Sequence, residues 1–108
     1  MRVYVAGPYT KPYPPYNVRK AIDAAQELAD AGHFPYIPHL TMFWDIIYSR
    51  PYDYWMKLDE EFLKICEAVV RIPGESSGAD QEEKVAKTLG IPVFYSVKEF
   101  LAATKVKV

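Results

Sequence analysis

The sequence predicts a single α/β domain built on a parallel sheet, and three observations predict it. Short apolar runs alternate with helical segments along the chain. The first three of these runs stop at Gly or Pro breakers: Gly7-Pro8, Pro38 and Pro73-Gly74. The 108 residues, half of them hydrophobic, suffice for one core without disulfide or metal staples, so residues 1–108 are read as one domain. Strands that alternate with helices pair in parallel through right-handed crossovers.

The run "VYVA" (3–6) reads as the first buried strand. "NVRKAIDAAQELADAG" (17–32) is an amphipathic helix with Asn17 as its cap, a stripe of Val18, Ala21, Ile22, Ala25, Leu28 and Ala29, and Gly32 as its stop. "FPYIP" (34–38) reads as the second strand. Residues 39–52 read either as a short helix or as a loop of anchoring aromatic side chains. A second clear helix runs from about Asp53 to Ile65 or Cys66, and "AVVRI" (68–72) is the third strand. A helix over 79–89 ends at Gly90, "PVFY" (92–95) is the fourth strand, and 97–103 a last short helix. The closing "KVKV" is either a fifth strand or a tail.

Composition excludes several function classes. A formal net charge of −1 gives no basic field for polymeric nucleic acid or for a membrane surface. No apolar stretch is long enough for a signal peptide or a bilayer span, which sets the expectation of a cytoplasmic protein. A lone cysteine, Cys66, in an apolar stripe fits a buried structural role, and two histidines are too few for a metal site. No cofactor is expected. Nine Tyr, five Phe, two Trp and nine Pro concentrate in residues 11–16 and 35–55, as pocket walls or a subunit contact.

The chemistry-bearing signal is a pair of acids that point inward. Glu82 is followed at i+3, i+4 and i+7 by Val85, Ala86 and Leu89, whereas Glu83 faces elsewhere. Asp59 repeats the pattern with Phe62, Leu63 and Cys66. Burying an unpaired carboxylate is costly, and two such groups with separated pKa values can act as acid and as base or nucleophile. Each also has an ordinary explanation: the macrodipole favours an acid early in a helix, and Arg71 or Arg50 could supply an ion pair. Glu82 follows the loop "GESSGA", whose Ser76, Ser77 and Gly78 offer N–H groups and hydroxyls for a phosphate or a sugar. Gly7, Tyr9 and His39 stand at the other strand ends, where ligands bind in such sheets.

These residues resemble the nucleoside 2-deoxyribosyltransferase superfamily, which includes the 2'-deoxynucleoside 5'-phosphate N-hydrolases and a compact branch. The resemblance covers nearly the whole chain. "VYVAGPY" is similar to the family's first strand and glycine turn. Gly78, Glu82 and Ala86, each four residues apart, followed by Gly90-Ile91-Pro92-Val93, match the family's nucleophile helix and the strand after it. Asp59 lies eight residues before Glu67, where the family more often has Asp.

The resemblance implies a flavodoxin-like three-layer sandwich with a four- to five-stranded parallel sheet. It implies cleavage of an N-glycosidic bond with Glu82 as nucleophile and Asp59 as the second catalytic carboxylate. Ser76, six before Glu82, is the residue type of the phosphate-requiring hydrolases, and Tyr4 corresponds to the family's pocket tyrosine. Tyr9, Phe43 and Trp44 are candidate walls for the base. The implied partner is a small nucleoside or nucleotide, acted on by a homodimer or higher homo-oligomer. The shortened tail shows no match to the polar residue with which a neighbouring subunit completes the family's pocket. The competing reading is a non-catalytic nucleotide-binding or sensing module with the same pocket.

Overall fold

The computed structural model describes residues 1–104, so the closing segment 105–108, read as a fifth strand or a tail, lies outside the described residues. Four strands form one all-parallel sheet: β1 (Arg2–Ala6), β2 (Phe34–Tyr36), β3 (Ala68–Arg71) and β4 (Val93–Phe94), in the order β2-β1-β3-β4. The register sets Val3 opposite Pro35 and Ala68, and Val70 opposite Phe94. This is the flavodoxin-like order, which reverses direction between β1 and β3.

The alternation of side chains along β1 divides the core in two. Val3 and Val5 join Ala68 and Val70 against α1 (Pro14–Asp30) and α5 (Val97–Thr104), where Ala21, Ala25, Leu28 and Phe100 close the layer. Tyr4, Ala6 and Val69 face α3 (Tyr52–Leu63) and α4 (Ser77–Thr88), packing on Leu63, Cys66, Ala79 and Ala86. Helices therefore cover both faces, and the central strands are apolar on both sides for that reason. Cys66 is buried and its thiol donates to the carbonyl of Phe62 at 3.3 Å.

Two readings of the first helix change. It begins at Pro14, three residues before Asn17, because Pro suits the first helical turn, where its missing N–H is not needed. Asn17 is not the cap. It lies buried inside α1, and its Nδ2 donates to the carbonyls of Tyr9 and Lys11 at 2.9 and 2.8 Å, tying down the β1–α1 loop. Ile22 and Ala29 fall outside the buried stripe. Leu89, likewise, stands exposed at the end of α4. The ambiguous stretch resolves as a 3-10 turn, Pro38–Leu40, followed by α2 (Thr41–Ile47), which buries none of its residues. Among the described residues no helix is long and apolar enough to cross a membrane.

Candidate active site

The reversal point of the sheet places a cavity beyond the carboxyl ends of β1 and β3. Its volume is about 400 Å³, the size of a small-molecule site. Gly7 and Tyr9 reach it from the end of β1, His39 from the end of β2, and Ser76, Ser77 and Gly78 from the start of α4. Asp59 from α3 and Glu82 from α4 line the same cavity, so successive helices bring the two inward-facing acids together.

Both carboxylates are nearly inaccessible, Asp59 at 7% and Glu82 at 8% exposure. Neither is in an ion pair among the described residues. Arg71 is committed elsewhere: it donates to Asp80 at 3.0 Å, lies 3.9 Å from Glu83, and binds the carbonyls of Ile72 and Gly74. Arg50 lies over the ring of Tyr54 at 4.5 Å. Tyrosines serve the acids instead. The Tyr4 hydroxyl donates to Glu82 Oε2, and the Tyr36 hydroxyl donates to Asp59 Oδ1 at 3.3 Å. The two rings touch, with centroids 5.5 Å apart, and Tyr36 stacks on Phe62.

A neutral donor leaves the cost of burial largely in place. Burial pushes Glu82 up to about 7, helped by the charge of Asp59 and opposed by the Tyr4 hydrogen bond and by Arg71. Burial likewise pushes Asp59 up to about 7, opposed by Tyr36. The hydroxyls of Tyr4 and Tyr36 are both raised, first by burial and then by the carboxylates beside them, so they remain proton donors near neutrality. Such a pair can hold one proton between two carboxylates at neutral pH, which offers an acid and an anion in one cavity.

The loop ahead of α4 is shaped by Gly74 and Ser76. Gly74 has φ +133°, and a Cβ there would sit 2.6 Å from Pro8 Cγ, so only glycine fits the close approach of the two loops. Ser76 caps α4 by accepting the N–H of Ala79 at 3.1 Å. A Cβ on Gly78 would lie 2.8 Å from the Tyr52 hydroxyl, and its absence keeps that wall open.

His39, 4% exposed, hydrogen-bonds through Nε2 to the carbonyl of Pro8 at 3.0 Å. Its Nδ1 has no partner among the described residues. Burial lowers its pKa, which keeps the ring neutral and Nε2 the donor.

Three expected residues stand back from the cavity. Tyr4 is fully buried behind Glu82 and acts on the cavity only through that carboxylate. Trp44 and its neighbour Phe43 do not line it; Trp44 packs edge-on against Trp55, centroids 5.0 Å apart, and Trp55 is the indole at the wall. The helical spacing that singled out Asp59 also places Trp55 four residues before it on one face. Tyr36 and Asp45 carried no comparable signal.

The matches to known proteins agree with this fold. A solved structure of a 2-deoxyribosyltransferase from the psychrotolerant bacterium Bacillus psychrosaccharolyticus superposes with a TM-score of 0.64 at 22% sequence identity, covering 86% of this chain and 69% of that one. It bears out the flavodoxin-like fold. No curated protein matches the chain. The sequence also matches the domain of unknown function DUF4406 over residues 1–95, and with the structural match this supports the resemblance read from the motifs. That span contains every described strand and both helices that carry the buried acids, and the chain belongs to the DUF4406 family.

Proposed function

We propose that this protein cleaves the N-glycosidic bond of a nucleoside or nucleoside 5'-monophosphate, with Glu82 as nucleophile. One observation carries the reading: Asp59 and Glu82 line one small-molecule-sized cavity, nearly inaccessible, and are held by tyrosines rather than by cations. Glycosyl transfer passes through an oxocarbenium-like state, which a neighbouring carboxylate stabilises and traps.

In the proposed reaction a Glu82 oxygen attacks the anomeric carbon as its bond to the base nitrogen breaks. The bonding electron pair leaves with the base, and Asp59 in its acid form supplies the proton. The glycosyl ester on Glu82 then passes to water, or to the nitrogen of a second base, and Asp59 takes up the proton of that acceptor. Tyr4 orients the nucleophile. Ser77, Gly78 and the amino end of α4 are suited to the 5' end of the substrate, because unpaired N–H groups and the helix dipole favour an anion there. The Ser76 hydroxyl accepts the cap hydrogen bond from Ala79 and keeps its O–H to donate into the cavity.

The test is product chromatography after incubation with a panel of nucleosides and 5'-monophosphates, with and without free acceptor base. The wild type releases base, and the acceptor arm separates hydrolysis from transfer. Glu82→Gln keeps a Tyr4 acceptor and is expected to stay folded while losing at least ~1000-fold in rate. Wild-type base release by that variant removes Glu82 from the role. Ligand binding with no base release from the whole panel favours the non-catalytic module.

A further inference from the structure

The cavity is also lined by other residues of α3 and by α2. Trp55 and Met56 stand about one turn before Asp59, and α2 contributes Met42 and Asp45 to the same wall. Asp45 is half-buried there. Its Oδ1 accepts two hydrogen bonds, from the Trp55 indole N–H at 2.8 Å and from the Arg50 backbone N–H at 3.1 Å. Trp55 is also gripped edge-on by Trp44 and by Tyr54, with centroids 5.0 and 5.2 Å away. The carboxylate and the indole are thus fixed to each other. Oδ2 has no hydrogen-bond donor among the described residues, and no cation is paired with Asp45.

We propose that Asp45 determines which base is accepted: its free Oδ2 takes an N–H from the exocyclic amine of an aminated base lying against Trp55. The inference rests on the reaction proposed above: in that reaction Asp59 protonates the departing base, Trp55 stands four residues before it on α3, and Asp45, hydrogen-bonded to Trp55, lines the same cavity. An ionised carboxylate oxygen accepts and cannot donate. A base with an amino group at that edge forms a charge-assisted hydrogen bond. A base with hydrogen there leaves Oδ2 unpaired, and a carbonyl there sets oxygen against oxygen.

The experiment is a tryptophan-fluorescence titration of the Glu82→Gln variant, which binds without turnover and keeps Trp55 at the wall. The probes are 2'-deoxyadenosine, purine 2'-deoxyriboside (which lacks only the amine) and 2'-deoxyinosine (which has a carbonyl in its place), each as nucleoside and 5'-monophosphate. The aminated member of each set is expected to bind about tenfold tighter than the other two. Adding Asp45→Asn keeps an Oδ1 for Trp55 and Arg50 and replaces the free oxygen with an N–H₂ donor. That change is expected to abolish the amine preference and to favour the carbonyl base. Equal binding of the amine and its deamino analogue, or no binding of either, overturns the proposal without any recourse to the variant. An amine preference that survives Asp45→Asn overturns it too. Base release by the wild type is scored separately, so loss of the proposed reaction is distinguishable from loss of the base preference.

Discussion

Burial and a phenolic hydrogen bond set each acid in this cavity, and that combination fixes a pH profile. In the proposed reaction Glu82 is ionised to attack and Asp59 protonated to donate, while burial holds both near 7. The two therefore titrate as a coupled pair, and kcat/KM is expected to trace a bell centred near neutrality. The limbs are separable by variant. The Tyr4 hydrogen bond lowers Glu82, so Tyr4→Phe raises that pKa and moves the acid limb to higher pH, narrowing the bell from below. The Tyr36 hydrogen bond lowers Asp59, so Tyr36→Phe raises that pKa and moves the alkaline limb to higher pH, widening the bell from above. Steady-state profiles of the three proteins check this, and limbs that both stay put would detach the tyrosines from the acids. The acids themselves were legible in the sequence because a carboxylate followed by apolar residues at i+3 and i+4 contradicts its own solvation. Tyr36 was not, since a tyrosine at the edge of a short strand satisfies every local rule whether or not it meets an acid. Trp55 shares the helical face of Asp59, but its hydrogen bond to Asp45 ten residues earlier is a tertiary fact with no trace in that spacing.

Among the elements, the β3–α4 connection is the one the site depends on, and Arg71 holds it. This side chain, 8% exposed, joins the end of β3 to the turn carbonyls of Ile72 and Gly74 and to Asp80 in the first turn of α4. Truncation would release those groups to water and take away the cation that faces Glu83, which then keeps Lys87 at 2.9 Å and Tyr95 at 3.1 Å. Arg71→Ala is expected to cost about 1 to 2 kcal/mol, read as a lowered urea midpoint with an unchanged slope. Because the loop also lines the cavity, substrate KM should rise in the same variant, and Arg71→Lys should recover part of both. An unchanged midpoint would show that the turn is held by its backbone alone. The strands around this loop were legible because a parallel sheet covered on both faces reads as uninterrupted apolar runs. Helix ends were less so. Asn17 has the chemistry of a cap, and only the prolines ahead of it, which start α1 three residues earlier, free its side chain to bind a loop. The stretch 39–52 stayed ambiguous for a different reason: α2 buries nothing within the chain, so it lacks the one-sided stripe by which a helix is recognised.

At the scale of the whole molecule, α2 is also where a second copy is expected. Phe43, Ile46, Ile47 and Tyr48 are 60 to 72% exposed and adjoin one another along this helix and its end. Scattered apolar residues on a surface mean little, but a contiguous set marks an interaction face. The net charge of −1 offers no long-range repulsion to keep such faces apart. The same helix presents Thr41, Met42 and Asp45 to the cavity, so a partner packed on its outer side would fix that wall in place. The expected state is a homodimer, with sedimentation showing twice the chain mass at high concentration. Replacing Ile46 and Ile47 together by Asp should give a monomer that melts as cooperatively as the wild type, because neither side chain contributes to the core of its own chain. In that monomer α2 loses its outer support, so substrate binding should weaken while the pH profile set by Asp59, Glu82 and their tyrosines stays where it was. A wild-type chain that remains monomeric at high concentration, or a double variant that still dimerises, would place the contact elsewhere and leave the exposed face of α2 to some other partner.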